Sequence, residues 1–358
     1  MTQDPGSTRR DFLKAASAAV AGAAFGHLAA GTPPAQAAPG ATQPPADPGK
    51  VLNYNPKMGY RRLGKTGFMI SEVSLGGHGK GHQFLEHAVE LGMNYVDTNI
   101  VGECDTYGRA MAATTSARRD KWFIGFASWG IKITEDYEKN LTPDLLMSAI
   151  EGRLKSYQTD VLDLWRPVGA TWGPGQNAVP TLLMVSKKAL DMVAGVFEKA
   201  RQQGKVRHLG LSAHNPKVFR RVLEEYPQFE VIIFPYLFLT KEMGGEGLLA
   251  LAKEKDVGVI GLKPFGAGST FGVKREQDQA FTDKRGRIMV REMLKELRLS
   301  AVIPGIGARE HLDENVLGSY ERDRADTAAD RAALEACRRN FYAHLAPEYQ
   351  WLRQWETV

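Results

Sequence analysis

From residue 59 onward the chain repeats one unit: a short apolar run, a loop, then an amphipathic stretch. The runs are Ile70–Leu75, Tyr95–Asp97, Trp122–Phe126, Val161–Trp165, Val206–Leu211, Val231–Pro235, Val257–Leu262 and Ala301–Pro304. Each is brief and rich in Val, Ile, Leu or aromatic residues, the composition of strands buried on both faces of a parallel sheet. The stretches between them carry helix signals. Leu85–Leu91 stops at Gly92 and Leu190–Gln203 at Gly204, where glycine accommodates the turn that ends a helix. Thr142 precedes Pro143–Leu154 as an N-cap, and Val218–Glu225, Gly245–Lys253, Met289–Leu297 and Ala308–Leu317 complete the series. Strands and helices alternating in this way predict an α/β fold closed into a (β/α)8 TIM barrel. An open, doubly wound sheet would place a G-x-G-x-x-G turn after an early strand; the run Gly76-Gly77-His78-Gly79-Lys80-Gly81 has the wrong third spacing.

The ends of the chain read differently. Thr8-Arg9-Arg10-Asp11-Phe12-Leu13-Lys14 resembles a twin-arginine export motif. A weakly apolar stretch, Ala15 to Ala30, follows, and then Ala35-Gln36-Ala37, an A-x-A cleavage site ahead of Ala38. The order of these parts predicts a signal peptide over 1–37 and a location outside the cytoplasm, periplasmic or otherwise extracytoplasmic. Ala15 to Ala30 is too polar for an anchor, which needs about 20 strongly apolar residues, so no membrane span is expected after cleavage. Residues 38–56, rich in Pro, Gly and Ala, read as a flexible linker. The barrel is assigned to 57–318, and 319–358 to a C-terminal helical extension. Within the extension, Ala328–Phe341 is helical in pattern, and Tyr349, Trp351 and Trp355 follow it.

Composition excludes some classes of function. The formal charge is +5, and no basic stripe interleaved with aromatics marks a nucleic-acid surface. Cys104 and Cys337 are the only cysteines. An oxidising compartment would permit a disulfide between them, but pairing depends on a Cα separation that the sequence does not reveal.

Ordered blocks then point to one family. They are Tyr60-Arg61-Arg62-Leu63-Gly64-Lys65-Thr66-Gly67, Ile70-Ser71-Glu72-Val73-Ser74-Leu75-Gly76-Gly77, Gly92-Met93-Asn94-Tyr95-Val96-Asp97-Thr98 and Lys205 through Ser212. Gly258 through Gly268, Val302-Ile303-Pro304-Gly305 and Glu314-Asn315 continue the series. Together they resemble the aldo-keto reductases, including the N-terminal β-hairpin that caps the barrel in that family. Ser212-Ala213-His214 is similar to a subgroup in which some members carry a C-terminal iron–sulfur motif. The tail here has no cysteine cluster, so no iron–sulfur cluster is expected.

The resemblance implies carbonyl reduction with hydride from NADP or NAD, the proton coming from a tyrosine tuned by lysine and aspartate and the substrate oriented by a histidine. Asp97 matches the aspartate. The tyrosine position reads Val101 or Gly102, the lysine position Ala127 or Ser128, and the histidine position Val168. The expected cofactor site is better preserved. Tyr236 matches the aromatic that stacks on nicotinamide, and Ser212 and His214 the contacts to its carboxamide. Lys263, Pro264, Phe265, Gly266 and Gly268 match the pyrophosphate loop, and Glu314 and Asn315 the adenine-side pair. Arg309 and His311 are candidate cations for a 2′-phosphate. The same residues could equally persist as barrel scaffold.

With the usual machinery degraded, other groups at the barrel mouth become candidates. His78 and His214 are possible proton donors, beside Asp97. His78, His82, Cys104 and His214 could gather as a metal or proton-transfer site, or be ordinary polar loop residues. Arg166 and Trp172 are expected to bind substrate, Arg166 by gripping a carboxylate or phosphate, unless it is held in a salt bridge to Asp97. Two functions stay open: an oxidoreductase acting on a small carbonyl or alcohol ligand, and a non-catalytic barrel that binds a ligand, a metal or a partner protein.

Overall fold

The computed structural model describes residues 47–77, 80–127, 141–167, 186–214, 217–240, 247–273 and 284–355. All of them belong to the larger of the two units into which the chain divides, residues 40–358. The signal peptide expected at 1–37, together with His78, Val168 and Trp172, lies outside the described residues.

Seven parallel strands follow one another in chain order: β3 (Tyr95–Thr98), β4 (Phe123–Ala127), β5 (Leu162–Arg166), β6 (Val206–Ser212), β7 (Phe229–Pro235), β8 (Gly258–Leu262) and β9 (Ala301–Ile303). The ring closes through a shorter element. Val73 bridges to Val302 on one side and Leu75 to Val96 on the other, both in parallel register. The run Ile70–Leu75, expected as one strand, is therefore divided. Met69–Ser71 forms β2 of a hairpin with β1 (Tyr60–Arg62), and only Val73 to Leu75 enter the barrel. The switch occurs at Glu72, which is fully buried; its carboxylate accepts from Arg61 Nε at 2.8 Å and from Ser319 Oγ at 2.6 Å. A buried carboxylate that needs partners on two elements fixes the chain where it turns.

Two hydrophobic layers result. Inside the ring, Tyr95, Phe123, Leu164, Val231, Ile233, Ile260 and Ile303 pack on Leu63, Ile70 and Phe68 of the hairpin, which plugs the N-terminal end. Outside it, residues such as Trp165, Leu209 and Phe234 pack under the helices. Those helices are α1 (His82–Glu90), α2 (Val101–Ala112), α3 (Pro143–Tyr157), α4 (Lys187–Gln202), α5 (Lys217–Glu225), α6 (Leu248–Glu254), α7 (Arg285–Leu294) and α8 (Arg309–Tyr320). None in the described residues is long and apolar enough to cross a membrane.

Residues 51–56, included in the expected tether, are tied to the barrel. Val51 is buried, and Asn53 Nδ2 donates to Met93 O at 2.7 Å and Lys121 O at 2.9 Å. At the other end α9 (Ala328–His344) starts from a capping box, with Thr327 and Asp330 exchanging side-chain-to-backbone bonds. It is followed by a 3-10 segment, Pro347–Trp355. Cys104 on α2 and Cys337 on α9 are both buried free thiols, so the disulfide that export would permit is not formed.

Candidate functional site

A cavity of about 860 Å³ opens at the C-terminal ends of the strands, within the usual range for small-molecule sites. Its two sides are built differently.

One side is made by β3, β4 and β5. Asp97 and Arg166 both point inward near their strand ends and are almost completely buried. Arg166 Nη2 donates to Asp97 Oδ2 at 2.5 Å, and Nη1 donates to Ser212 Oγ at 2.7 Å. The other Asp97 oxygen accepts from Tyr95 OH at 2.9 Å. Burial pushes the Asp97 carboxyl up, while Arg166 and Tyr95 pull it back down. Small residues make the space. A side chain at Gly125 would meet Tyr95 OH at 2.1 Å and Asp97 Oδ1 at 2.9 Å. Ala127 is the register partner of Arg166 across β4 and β5. Asp97 thus receives its cation from β5, beside Ala127. Arg166, expected to grip a substrate carboxylate, already holds the carboxylate of Asp97. It still lines the cavity, but as half of a neutralised pair.

Behind this pair Thr98 Oγ1 accepts from Tyr157 OH at 3.1 Å and Cys104 Sγ at 3.3 Å. Tyr107 lines the cavity, but its hydroxyl donates to Gly76 O at 2.9 Å and burial pushes it well above its ordinary range. The expected tyrosine position, Val101 or Gly102, is the first turn of α2, where Glu103 accepts the backbone N–H of Asn99 at 2.8 Å.

The other side is made by the ends of β6 and β8 and by the C-terminal segment. Trp351 stacks on His214, with ring centroids 4.0 Å apart. Tyr349 lines the cavity, and its ring centroid lies 5.8 Å from Lys263 Nζ. Burial, and secondarily the charge of Lys263, pushes the His214 imidazolium down to about 3. Burial pushes the Lys263 ammonium down to about 8. At neutral pH His214 is therefore uncharged. Lys263 also holds a left-handed backbone (φ 52°), a conformation that costs a non-glycine residue about 1–2 kcal/mol.

The loop after Lys263 lines the cavity through Pro264, Phe265, Ala267 and Gly268. Gly266 has a different task from the expected phosphate contact. A side chain there would meet Phe341 Cδ2 of α9 at 2.7 Å, so this glycine lets the C-terminal helix close on the loop. Asn340 Nδ2 adds a bond to Thr270 O at 3.3 Å. The far end is lined by Gly305, Gly307, His311 and Lys80, whose Nζ donates to Gly307 O at 3.1 Å.

Besides Gly266, four expected cofactor contacts stand off the cavity. Tyr236 does not line it; the residue is 4% exposed, and its Cβ lies where a side chain on Gly261 would meet it at 2.9 Å. Arg309 turns to His87, with Nη2 2.9 Å from Nδ1. Glu314 Oε1 accepts from Arg287 N at 3.4 Å, and Asn315 Nδ2 donates to Gly305 O at 3.3 Å, both from behind the lining. His82 starts α1 and Cys104 is enclosed with Thr98; among the described residues no group of three or more His, Cys, Asp or Glu gathers as a metal site. Sequence reasoning missed the role of Tyr349 and Trp351. Their only signal was aromatic density in a tail beyond the eighth unit.

Known proteins agree with the fold. Over 224 residues the chain is 25% identical to a Bacillus subtilis protein named as an oxidoreductase, YqkF, spanning 58% of this chain and 65% of that one, just under two thirds of its length. It is 21% identical over 319 residues to an L-glyceraldehyde 3-phosphate reductase of Escherichia coli O157:H7, spanning 73% of this chain and 87% of that one. The structures of an aldo-keto reductase from Bacillus halodurans, in apo and holo forms, superpose with TM-scores of 0.55 at 18% and 19% identity, covering 78% of this chain and 96% of theirs. The sequence profile of the aldo/keto reductase family matches residues 80–314, from β3 through β9 and the helices between them. The chain belongs to the aldo/keto reductase family.

Proposed function

We propose that this oxidoreductase-type barrel acts on a small carbonyl or alcohol ligand at its mouth, with NADP or NAD, and without the family's tyrosine, lysine and histidine. One observation carries the reading. A single cavity connects Ser212 and His214 with the 263–268 loop and with Gly305–Gly307. These are the segments that the resemblance assigns to the cofactor.

The residues fit the phosphate portion of such a cofactor. Lys80 and Lys263 line the same cavity, and Ala267 and Gly268 present left-handed backbone to it. The ring portion would meet Tyr349, which lines the cavity, whereas Tyr236 does not. Bound there, a reduced nicotinamide would supply hydride. The chain's own residues handle the proton. Lys263, held at about 8, carries a transferable proton at neutral pH, whereas His214, held at about 3, stays uncharged.

The test is a fluorescence titration of the purified chain with NADPH and NADH. Lys263→Ala is expected to weaken binding at least about tenfold, as loss of a charge-assisted phosphate contact does. Tyr236→Phe is expected to leave it unchanged. No binding of either nucleotide at high micromolar concentration overturns the nicotinamide reading.

The Asp97–Arg166 pair favours a second reading, a non-catalytic barrel that binds a ligand, metal or partner protein, because the one carboxylate kept from the family motif is neutralised. We further propose export by the twin-arginine route, supported by the order of Arg9-Arg10, Ala15 to Ala30 and Ala35-Gln36-Ala37. That route carries folded proteins and so accommodates a cofactor loaded in the cytoplasm. Cell fractionation tests it: replacing Arg9 and Arg10 by lysine is expected to abolish the extracytoplasmic fraction, and an unchanged distribution contradicts it.

A further inference from the structure

We propose that Lys263 is a carbonyl-capturing amine that forms an imine with a small aldehyde or ketone seated in the barrel-mouth cavity. Three independent features place it for this. Its side chain lines a cavity of about 860 Å³ that has room for a small substrate. Its backbone is held in the left-handed region (φ 52°) at the end of β8, an arrangement that persists only where surrounding structure enforces it. Its Nζ stands 5.8 Å from the centroid of the Tyr349 ring, in the corner that Trp351 closes by stacking on His214. Burial outweighs the pull of the Tyr349 ring toward the ammonium, and a desolvated lysine is the usual form of an imine-forming nucleophile.

The charged and titratable side chains that share the cavity are Arg166, Tyr107, His214, Lys80, His311 and Tyr349. Burial lowers Lys263 to about 8, which leaves a usable fraction of free amine near neutral pH.

The step balances without an oxidant or reductant. The Nζ lone pair attacks the carbonyl carbon, a C–N bond forms, and the oxygen takes up a proton to give a carbinolamine. The hydroxyl then leaves with a proton as water, the C–O bond breaks and a C=N bond remains. This inference goes beyond the redox reading and does not depend on it, since imine formation needs the cavity and the amine but no nicotinamide.

The experiment traps the imine in the wild-type chain. Propanal, and separately pyruvate, is added with sodium cyanoborohydride from pH 6 to 10, and modified lysines are located by peptide mass spectrometry. Lys187, exposed and paired with Asp191 at 2.8 Å, serves as the internal reference. The expected result is an adduct on Lys263 that saturates with carbonyl concentration, has its midpoint near pH 8 and forms at least tenfold faster than on Lys187. Trp351→Ala, which admits water beside His214, is expected to move the midpoint upward. Labelling of Lys263 no faster than Lys187, or no adduct on it, overturns the proposal. Nucleotide binding without trapping removes the imine alone, and trapping without nucleotide binding removes the nicotinamide reading alone.

Discussion

The two sides of the barrel mouth treat charge in opposite ways. On the β3–β5 side, Asp97 and Arg166 are buried and neutralise one another at 2.5 Å, with Tyr95 and Ser212 bonded to the remaining positions. On the β6–β8 side, Lys263 and His214 are also shielded from water, but the fold drives both toward their uncharged forms. A pair of opposite charges is well suited to holding three strands in place and poorly suited to exchanging protons. An amine near 8 lies close enough to neutral pH to exchange a proton, while the imidazole beside it stays uncharged. The difference is why the proposed chemistry is assigned beside the C-terminal segment, away from the motif aspartate.

Breaking the pair should give the largest effect. Arg166→Met leaves a buried, uncompensated carboxylate and is expected to cost about 3–5 kcal/mol, read from urea unfolding. The double variant Asp97→Leu with Arg166→Met is expected to recover most of that loss, because no charge then remains buried. A single variant close to wild type would show that the pair does not hold this wall.

Opening the other side should cost less. Trp351→Ala removes a ring that is 8% exposed and is expected to destabilise by about 2–4 kcal/mol. It should also raise the His214 pKa by at least about a unit as water enters. A variant with full stability and unchanged His214 titration would separate the C-terminal segment from the site.

The basic groups themselves give a signed, smaller effect. Lys263 falls from 10.5 to about 8 in the fold. A depressed pKa contributes stability above 10.5 that is lost as pH drops toward 8, so at pH 7 the buried ammonium is a cost. Lys263→Met is expected to stabilise the chain by about 1–2 kcal/mol at pH 7, a gain that vanishes above pH 10.5. The same gain at every pH would show that packing alone is responsible. At the small end, Asp191→Asn removes the exposed partner of Lys187 and is expected to change stability by less than about 0.5 kcal/mol.

The fold was legible because periodicity reports burial directly. Each expected barrel strand has its counterpart within a residue or two, except Ile70–Leu75, which is cut by Glu72. That cut depends on Arg61 and on Ser319, 247 residues away, and no local pattern encodes such a contact. The mouth was legible only in part. Ser212, Lys263 and the 264–268 loop were found through motif order. Tyr236 and Gly266 stand off the cavity lining, because a motif fixes where a residue lies along a strand but not what packs behind it. The Asp97–Arg166 pair was weighed beforehand, but the register of Ala127 beside Arg166 exists only once β4 and β5 pair. The partners of His214 and Lys263 come from a tail outside the repeating units, so neither shift could be read from the strands alone.

The account rests on the claim that the C-terminal segment keeps the β6–β8 side dry enough to hold neutral bases. The most direct measurement is an NMR titration of the histidine rings, with His214 assigned from His214→Gln among the 8 histidines of the chain. The account predicts that His214 shows no protonation step between pH 8 and pH 5, consistent with a pKa of about 3. A His214 midpoint near its ordinary 6.5 would contradict it.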